Sequence, residues 1–214
     1  NAFEGCTSLK NITLPESISY FGWYAFKNCS SLINISIPDK VTDIRLSAFE
    51  GCSSLESVTM GNRVQFIGYQ AFKDCSSLTS ITIPESVTTI ESSAFRGCSD
   101  LKSITIPSSV TSIGKYAFYG CNGLKSITIP NNVTNMGEYV FSNCANLTSV
   151  TISEGMKSFG QNTFENDSCL GSVSLPNSIK SIGKNAFKNC SSLQNISLPD
   201  SITSIGGYAF ADCI

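Results

Sequence analysis

Apolar and polar positions follow one rule along this chain, and the rule restarts every 23 residues. Phe3, Phe26, Phe49, Phe72, Phe95, Phe118, Phe141, Phe164, Phe187 and Phe210 stand 23 apart without an insertion, most of them preceded by alanine. Six residues after each of the first nine comes a leucine, as in Leu9, Leu55 and Leu101; three further on stands Ile or Val, and two beyond that another apolar residue. All seven prolines take the next position, from Pro15 to Pro199. A second apolar pair follows, such as Val87 and Ile90, then usually a glycine such as Gly68 or Gly114. The stretch Leu101-Lys-Ser-Ile104-Thr-Ile106 ends in alternation and is rich in β-branched residues, so it predicts a short strand buried on one face. Pro107 ends that strand, because it has no N–H to give to a ladder. Ala117, Phe118 and Cys121 can share one inward face at i, i+1 and i+4, which predicts a turn or two of helix, with Gly120 supplying a tight corner.

No single unit of this kind can bury its own apolar face, whereas stacked units share a continuous core. Self-similarity at this period predicts a solenoid. Nine parallel strands are expected in one sheet, centred near residues 12, 35, 58, 81, 104, 127, 150, 173 and 196. Residues 1–214 read as a single solenoid, truncated at both ends and lacking caps, because Asn1-Ala2-Phe3 and Cys213-Ile214 both fall in mid-motif.

The strand pattern L-x-x-I-x-L matches that of leucine-rich repeats, except that Pro-x-x-Ile/Val replaces the usual Asn or Cys three residues after the last leucine. With Ala-Phe-x-x-Cys and the Ile-Gly before it, the unit closely resembles the BspA-like subclass, over the whole chain. The resemblance implies an α/β solenoid: a right-handed coil with a parallel β-sheet on one face and short helical or irregular segments on the other. It also implies an extracellular or cell-surface setting and adhesion to host matrix or cells, with no catalytic residue.

Composition narrows the chemistry. The chain has no histidine, which removes the commonest general base and the histidine-based zinc sites. It carries no phosphate-binding glycine motif and no calcium-binding helix–loop–helix signature. No enzyme activity, cofactor or metal is therefore expected. A net charge of −2 gives no reason to expect nucleic acid, and no apolar run approaches the ~20 residues that span a bilayer. The expected partner is a protein or glycoprotein; a spacer holding another domain off a cell surface is the alternative, and an ice-binding array a remote third.

Ten cysteines fall one per unit, at 6, 29, 52, 75, 98, 121, 144, 169, 190 and 213. Neighbours ~5 Å apart make vertical disulfides conceivable. The favoured reading is a small apolar filler in a repeated slot: reduced and buried thiols, with Cys213 frayed and Cys169 displaced. In that displaced unit Asp167 occupies the thiol slot, and Ser153-Glu154-Gly155 replaces the nearby proline turn. Acidic residues after the proline, such as Glu16, Asp39 and Glu85, read as turn formers rather than calcium ligands. Eight N-x-[ST] sequons, at Asn11, Asn28, Asn34, Asn132, Asn146, Asn166, Asn189 and Asn195, weakly favour secretion.

Two surfaces are candidates for partner binding. Outward strand positions read Ser57 and Thr59, Ser80 and Thr82, Ser103 and Thr105, Ser126 and Thr128, Ser149 and Thr151, all small and uncharged. Such residues are also simply tolerable on an exposed sheet, where hydroxyl ladders add a little stability. Aromatics gather elsewhere, on a lateral or convex surface: Tyr20, Trp23 and Tyr24 in one unit, then Tyr116, Tyr119 and Tyr139. The strand face lacks the aromatic and arginine anchors expected of a hot spot, so both surfaces stand as candidates.

Overall fold

The computed structural model describes residues 1–213 as a parallel β-solenoid with a 23-residue coil. Its first row of strands comes where the alternation requires. Asn34–Ser36, Ser57–Thr59, Ser80–Thr82 and Ser103–Thr105 form one sheet; Ser126–Ile129, Ser149–Ile152 and Ser172–Ser174 form another. Each central β-branched residue is inward, and the register pairs Ile81 with Ile104 and Val150 with Ile127.

The row differs from the expected nine strands in one sheet: there are seven, in two sheets. The segments around residues 12 and 196 lie toward the two ends of the described residues, where Ile12 and Ile196 are only half-buried. The ladder also fails inside the solenoid. Lys102 N–H donates to Thr79 O at 3.0 Å and Thr148 N–H to Lys125 O at 2.8 Å, but Lys125 makes no equivalent bond to Lys102. The column leading into the strands reads Lys10, Ile33, Glu56, Thr79, Lys102, Lys125, Thr148, Gly171 and Gln194. Lys102 and Lys125 are its one adjacent like-charged pair, and like charges in register oppose pairing.

A second row comes from the second apolar pair. Asp43–Ile44, Phe66–Ile67, Thr89–Ile90, Ser112–Ile113 and Asn135–Met136 form a five-stranded parallel sheet, and Ser181–Ile182 pairs with Ser204–Ile205. A V-x-x-I spacing does not alternate, so these two-residue strands leave no period-two signal. The glycine after them has a steric role. A Cβ on Gly114 would lie 2.3 Å from Ser92 N, where Gly114 N–H donates to Ile90 O at 2.8 Å.

The Ala-Phe segment is not helical; no helix occurs among the described residues. The residue before the alanine has positive φ in coil after coil (Tyr24 58°, Gln70 57°, Tyr116 59°), and so does the residue two after the phenylalanine (Asn28 60°, Gly51 73°, Gly120 72°). Left-handed residues so closely spaced rule out a helical turn. Instead, Cys29 N–H closes a turn on Phe26 O at 3.1 Å, while Tyr24, Phe26 and Asn28 donate to Leu46, Ala48 and Glu50 of the next coil at 3.0, 2.8 and 2.7 Å. The third side of the solenoid is thus a hydrogen-bonded column of turns, and Gly120 does supply its corner.

Inside runs one continuous core. The ten phenylalanines stack at 4.9–5.6 Å between centroids with ring planes 2–13° apart, and Phe26 through Phe187 are fully buried. The thiols do more than fill space. Cys52 Sγ donates to Phe26 O at 3.1 Å and Cys98 Sγ to Phe72 O at 3.2 Å, so these phenylalanine carbonyls accept both a backbone N–H of their own coil and a thiol of the next. Cys6 departs from the expected burial. It is exposed, because no described residue stands where a preceding coil would cover it. Cys169 is displaced outward, and Cys213, half-buried, still reaches Phe187 O at 3.1 Å.

Candidate functional site

The strand-face candidates sit where alternation sends them. Ser57, Thr59, Ser80, Thr82, Ser103, Thr105, Ser126, Thr128 and Thr151 are exposed and Ser149 is half-buried, between the buried Val58, Ile81, Ile104, Ile127 and Val150. Among the described residues these hydroxyls make no hydrogen bonds to one another, so the ladder of side chains is a row of free groups. The surface is uniform and offers no anchor.

The aromatic candidates divide into two groups. Tyr20, Trp23 and Tyr24 lie near the start of the solenoid; Tyr20 and Trp23 are 64% and 60% exposed, with Arg45 over the Tyr20 ring at 5.3 Å and Lys27 over Tyr24 at 5.2 Å. Tyr116, Tyr119 and Tyr139 meet four coils further on. Tyr116 and Tyr139 hold the same left-handed position in adjacent coils, which stacks their rings at 4.8 Å, and Tyr119 meets Tyr116 edge-on at 5.6 Å. Tyr24 shares that position, but Ser47, Gln70 and Ser93 separate it from the other two.

Two cations complete the second group, and sequence reasoning missed both. Arg96 lies over Tyr116 and Tyr119 at 5.6 and 5.2 Å, one coil below Tyr119 in the same register. Lys115 lies over Tyr116 and Tyr139 at 5.3 and 5.7 Å and donates to Glu138 Oε2 at 2.6 Å, which holds its ammonium above the ordinary lysine range. Arg96 and the three tyrosines, with Ser142, Asn143, Glu165 and Asn166, line an open cavity of about 340 Å³. The signal was present: residues 23 apart are neighbours, so Arg96 and Tyr119 were a predictable pair.

Several other motifs resolve into cross-coil contacts. Asp39 Oδ1, after Pro38, accepts Asn62 N–H at 2.9 Å and Glu154 Oε1, in the Ser153-Glu154-Gly155 turn, accepts Asn177 N–H at 3.1 Å, so these two acids serve the next coil's turn. Asn189 Nδ2 donates to Asn166 Oδ1 at 2.6 Å and Asn166 Nδ2 to Asn143 Oδ1 at 3.2 Å, an amide ladder that engages two of the eight sequon asparagines. Asp167 is fully buried in the thiol slot, accepting Cys144 N–H at 2.8 Å through Oδ1 while Oδ2 has no partner. Burial pushes its carboxyl well above the usual range, against the opposing effect of that N–H. Among the described residues no group of three or more Cys, Asp or Glu is placed to hold a metal ion, and no helix is long and apolar enough to cross a membrane.

A 23-residue coil with parallel strands, buried leucine and phenylalanine columns and polar outer positions defines a leucine-rich-repeat protein. The chain belongs to the BspA-type leucine-rich-repeat family, whose model matches six copies over residues 1–102 and 88–214. It is similar to a leucine-rich-repeat protein of T. pallidum at 30% identity and a TM-score of 0.72, covering 79% of each chain. A leucine-rich-repeat protein from Eubacterium ventriosum shares the fold at 24% identity and a TM-score of 0.55, over 92% of this chain and 81% of that one. No curated protein matches the chain. Leucine-rich repeats are scaffolds that generally bind proteins.

Proposed function

We propose that this solenoid is a non-catalytic interaction module, displayed on a cell surface or secreted, that adheres to matrix or cell-surface macromolecules through its Tyr116–Tyr119–Tyr139 flank. One observation carries the reading: three tyrosines, Arg96 and Lys115 converge from three coils onto one half-exposed patch. Tyrosine and arginine are the residues that dominate binding energy at protein interfaces, since each offers a large rigid area and a polar tip. The strand face offers neither. Its uniform row of small hydroxyls supports a second reading, a passive spacer.

The test is binding to immobilised extracellular-matrix proteins by the protein and two variants. Tyr116→Ala with Tyr139→Ala is expected to weaken the strongest interaction at least tenfold, in line with ~1.4 kcal/mol per factor of ten and about 2 kcal/mol for a hot-spot residue. Thr128→Lys is expected to leave it unchanged. Loss with Thr128→Lys alone would move the working surface to the strands; no binding to any matrix protein would favour the spacer.

A further inference from the structure

The gap in the strand ladder is bounded by charge. Lys102 and Lys125 stand in register where the Ser103–Thr105 and Ser126–Ile129 strands fail to pair. The ion pairs of the described residues use Lys27, Lys73, Lys115 and Lys188; neither Lys102 nor Lys125 has a carboxylate within reach. These two ammonium groups, one coil apart and without an ion-pair partner, line a cavity with one acidic residue, Asp100, on a chain whose net charge is −2.

A cavity of about 660 Å³ opens beside them, lined by Lys102, Lys125, Asp100, Asn122, Gly123 and Asn146 with Ser99. Gly123 is drawn against the coil before it. Its N–H donates to Ser99 O at 2.6 Å, and a Cβ there would lie 2.8 Å from the Asp100 carbonyl carbon. The two amides are fixed by the stack: Asn122 Oδ1 accepts Ala145 N–H at 3.2 Å and Asn146 Nδ2 donates to Asn122 O at 2.9 Å. That leaves Asn122 Nδ2 and Asn146 Oδ1 without protein partners among the described residues. The same gap continues along the strand face as a second hollow of about 330 Å³ between Ser103, Thr105, Ser126 and Thr128.

We infer that this pocket binds a sulfated saccharide, with the sulfate bridging the Lys102 and Lys125 ammonium groups and the sugar hydroxyls meeting Asn122, Asn146 and Asp100. The chemistry selects the ligand by steps. An anion between the two lysines would offset the repulsion of like charges held in register. Lysine is a compact point charge without the planar fork of arginine, so the pair holds an anion by charge, and a sulfate with its oxygens turned both ways can meet two ammonium groups at once. The remaining donors and acceptors are neutral amides and one carboxylate, a set that hydrogen-bonds hydroxyl groups. The volume admits a disaccharide. The site is separate from the tyrosine flank, so it stands or falls independently of the proposed protein contacts.

The experiment is titration calorimetry on the full chain with a sulfated uronate-containing disaccharide, its desulfated form, inorganic sulfate and an oligoglutamate peptide. Binding of the sulfated disaccharide is expected, weakened at least tenfold by Lys102→Gln or Lys125→Gln, weakened by added salt, and unaffected by Tyr116→Ala. The sugar is also expected to raise the melting temperature of the wild type but not of the Lys102→Gln, Lys125→Gln double variant, whose own melting curve verifies that it folds. Absent binding, or binding that survives the double substitution, overturns the site. Equal affinity for the desulfated sugar overturns the sulfate, equal affinity for inorganic sulfate overturns the saccharide, and tighter binding of oligoglutamate makes the occupant an acidic protein segment instead.

Discussion

The turn column and the first strand row obey the same 23-residue repeat, yet one runs unbroken and the other splits into two sheets. In the column, Phe3 through Phe210 stack without interruption, and every carbonyl from Phe3 to Phe187 except that of Phe141 accepts both a backbone N–H and a thiol. On the strand row, pairing stops between Thr105 and Ser126. The difference lies in what each residue meets. In a solenoid the nearest neighbour of a side chain is its own counterpart one coil away. Rings on rings and amides on amides are favourable self-pairings; ammonium on ammonium is not. A repeat therefore amplifies whatever stands in a column, for better or worse.

The sharpest way to break this comparison is to remove one ring. Phe95→Ala deletes a fully buried side chain with stacked partners at 5.4 Å on both sides and is expected to cost about 3–5 kcal/mol. The loss should reach neighbouring coils, because each coil's buried face belongs partly to the next. Thr105→Ala on the strand row is expected to change stability by less than about 0.5 kcal/mol. Thermal unfolding of the two variants checks both, and equal effects would erase the distinction.

A smaller effect is expected where the column carries its one misfit. Asp167 takes the thiol position, and Phe141 O consequently receives no thiol. The folded protein holds this carboxyl above its ordinary value of 3.8, so it favours the protonated form. The stability associated with that proton is fully present below the ordinary pKa and is lost as pH rises through the folded one. Asp167→Asn keeps the acceptor for Cys144 N–H, adds a donor and removes the titration. It is expected to stabilise the protein by about 1–3 kcal/mol above neutrality and by less in acid. Denaturant midpoints at pH 4 and pH 8 decide it: a gain equal at both would show that the buried carboxyl does not titrate with folding.

The smallest effect concerns thiol labelling rather than stability. Burial raises Cys52 to about 12 and carries Cys75, Cys121 and Cys144 well above the ordinary thiol range, which suppresses the reactive thiolate. Cys6 and Cys169 are exposed and should react within the native protein, half-buried Cys213 more slowly, and the seven buried thiols only on unfolding. Fast reaction of Cys98 would mean that the column opens locally.

How much of this the sequence disclosed depends on the kind of signal. The period, the inward strand residues and the phenylalanine column announce themselves, because burial selects residue type directly. The second strand row does not, since two residues cannot show alternation. The turn column reads as helix in the sequence because Ala, Phe and Cys fit a helical face. Its actual signature is the residue two after each phenylalanine, always Gly, Asn or Asp, the types that tolerate positive φ. The tyrosine site was half legible: Tyr116, Tyr119 and Tyr139 were named, but Arg96 and Lys115 appear only when residues 23 apart are placed side by side. The break at Lys102 and Lys125 follows from the same column reading.

The inter-coil backbone bonds of Tyr24, Phe26 and Asn28 each join residues 22 apart. Under tension along the solenoid axis, those bonds are loaded one coil at a time rather than in parallel. A coil that occupies ~4.8 Å of the stack holds 23 residues, which extend to about 75–80 Å once released. The molecule is thus built as a chain of equal reserves, lengthening in discrete steps of roughly 70 Å and leaving the coils behind each step intact.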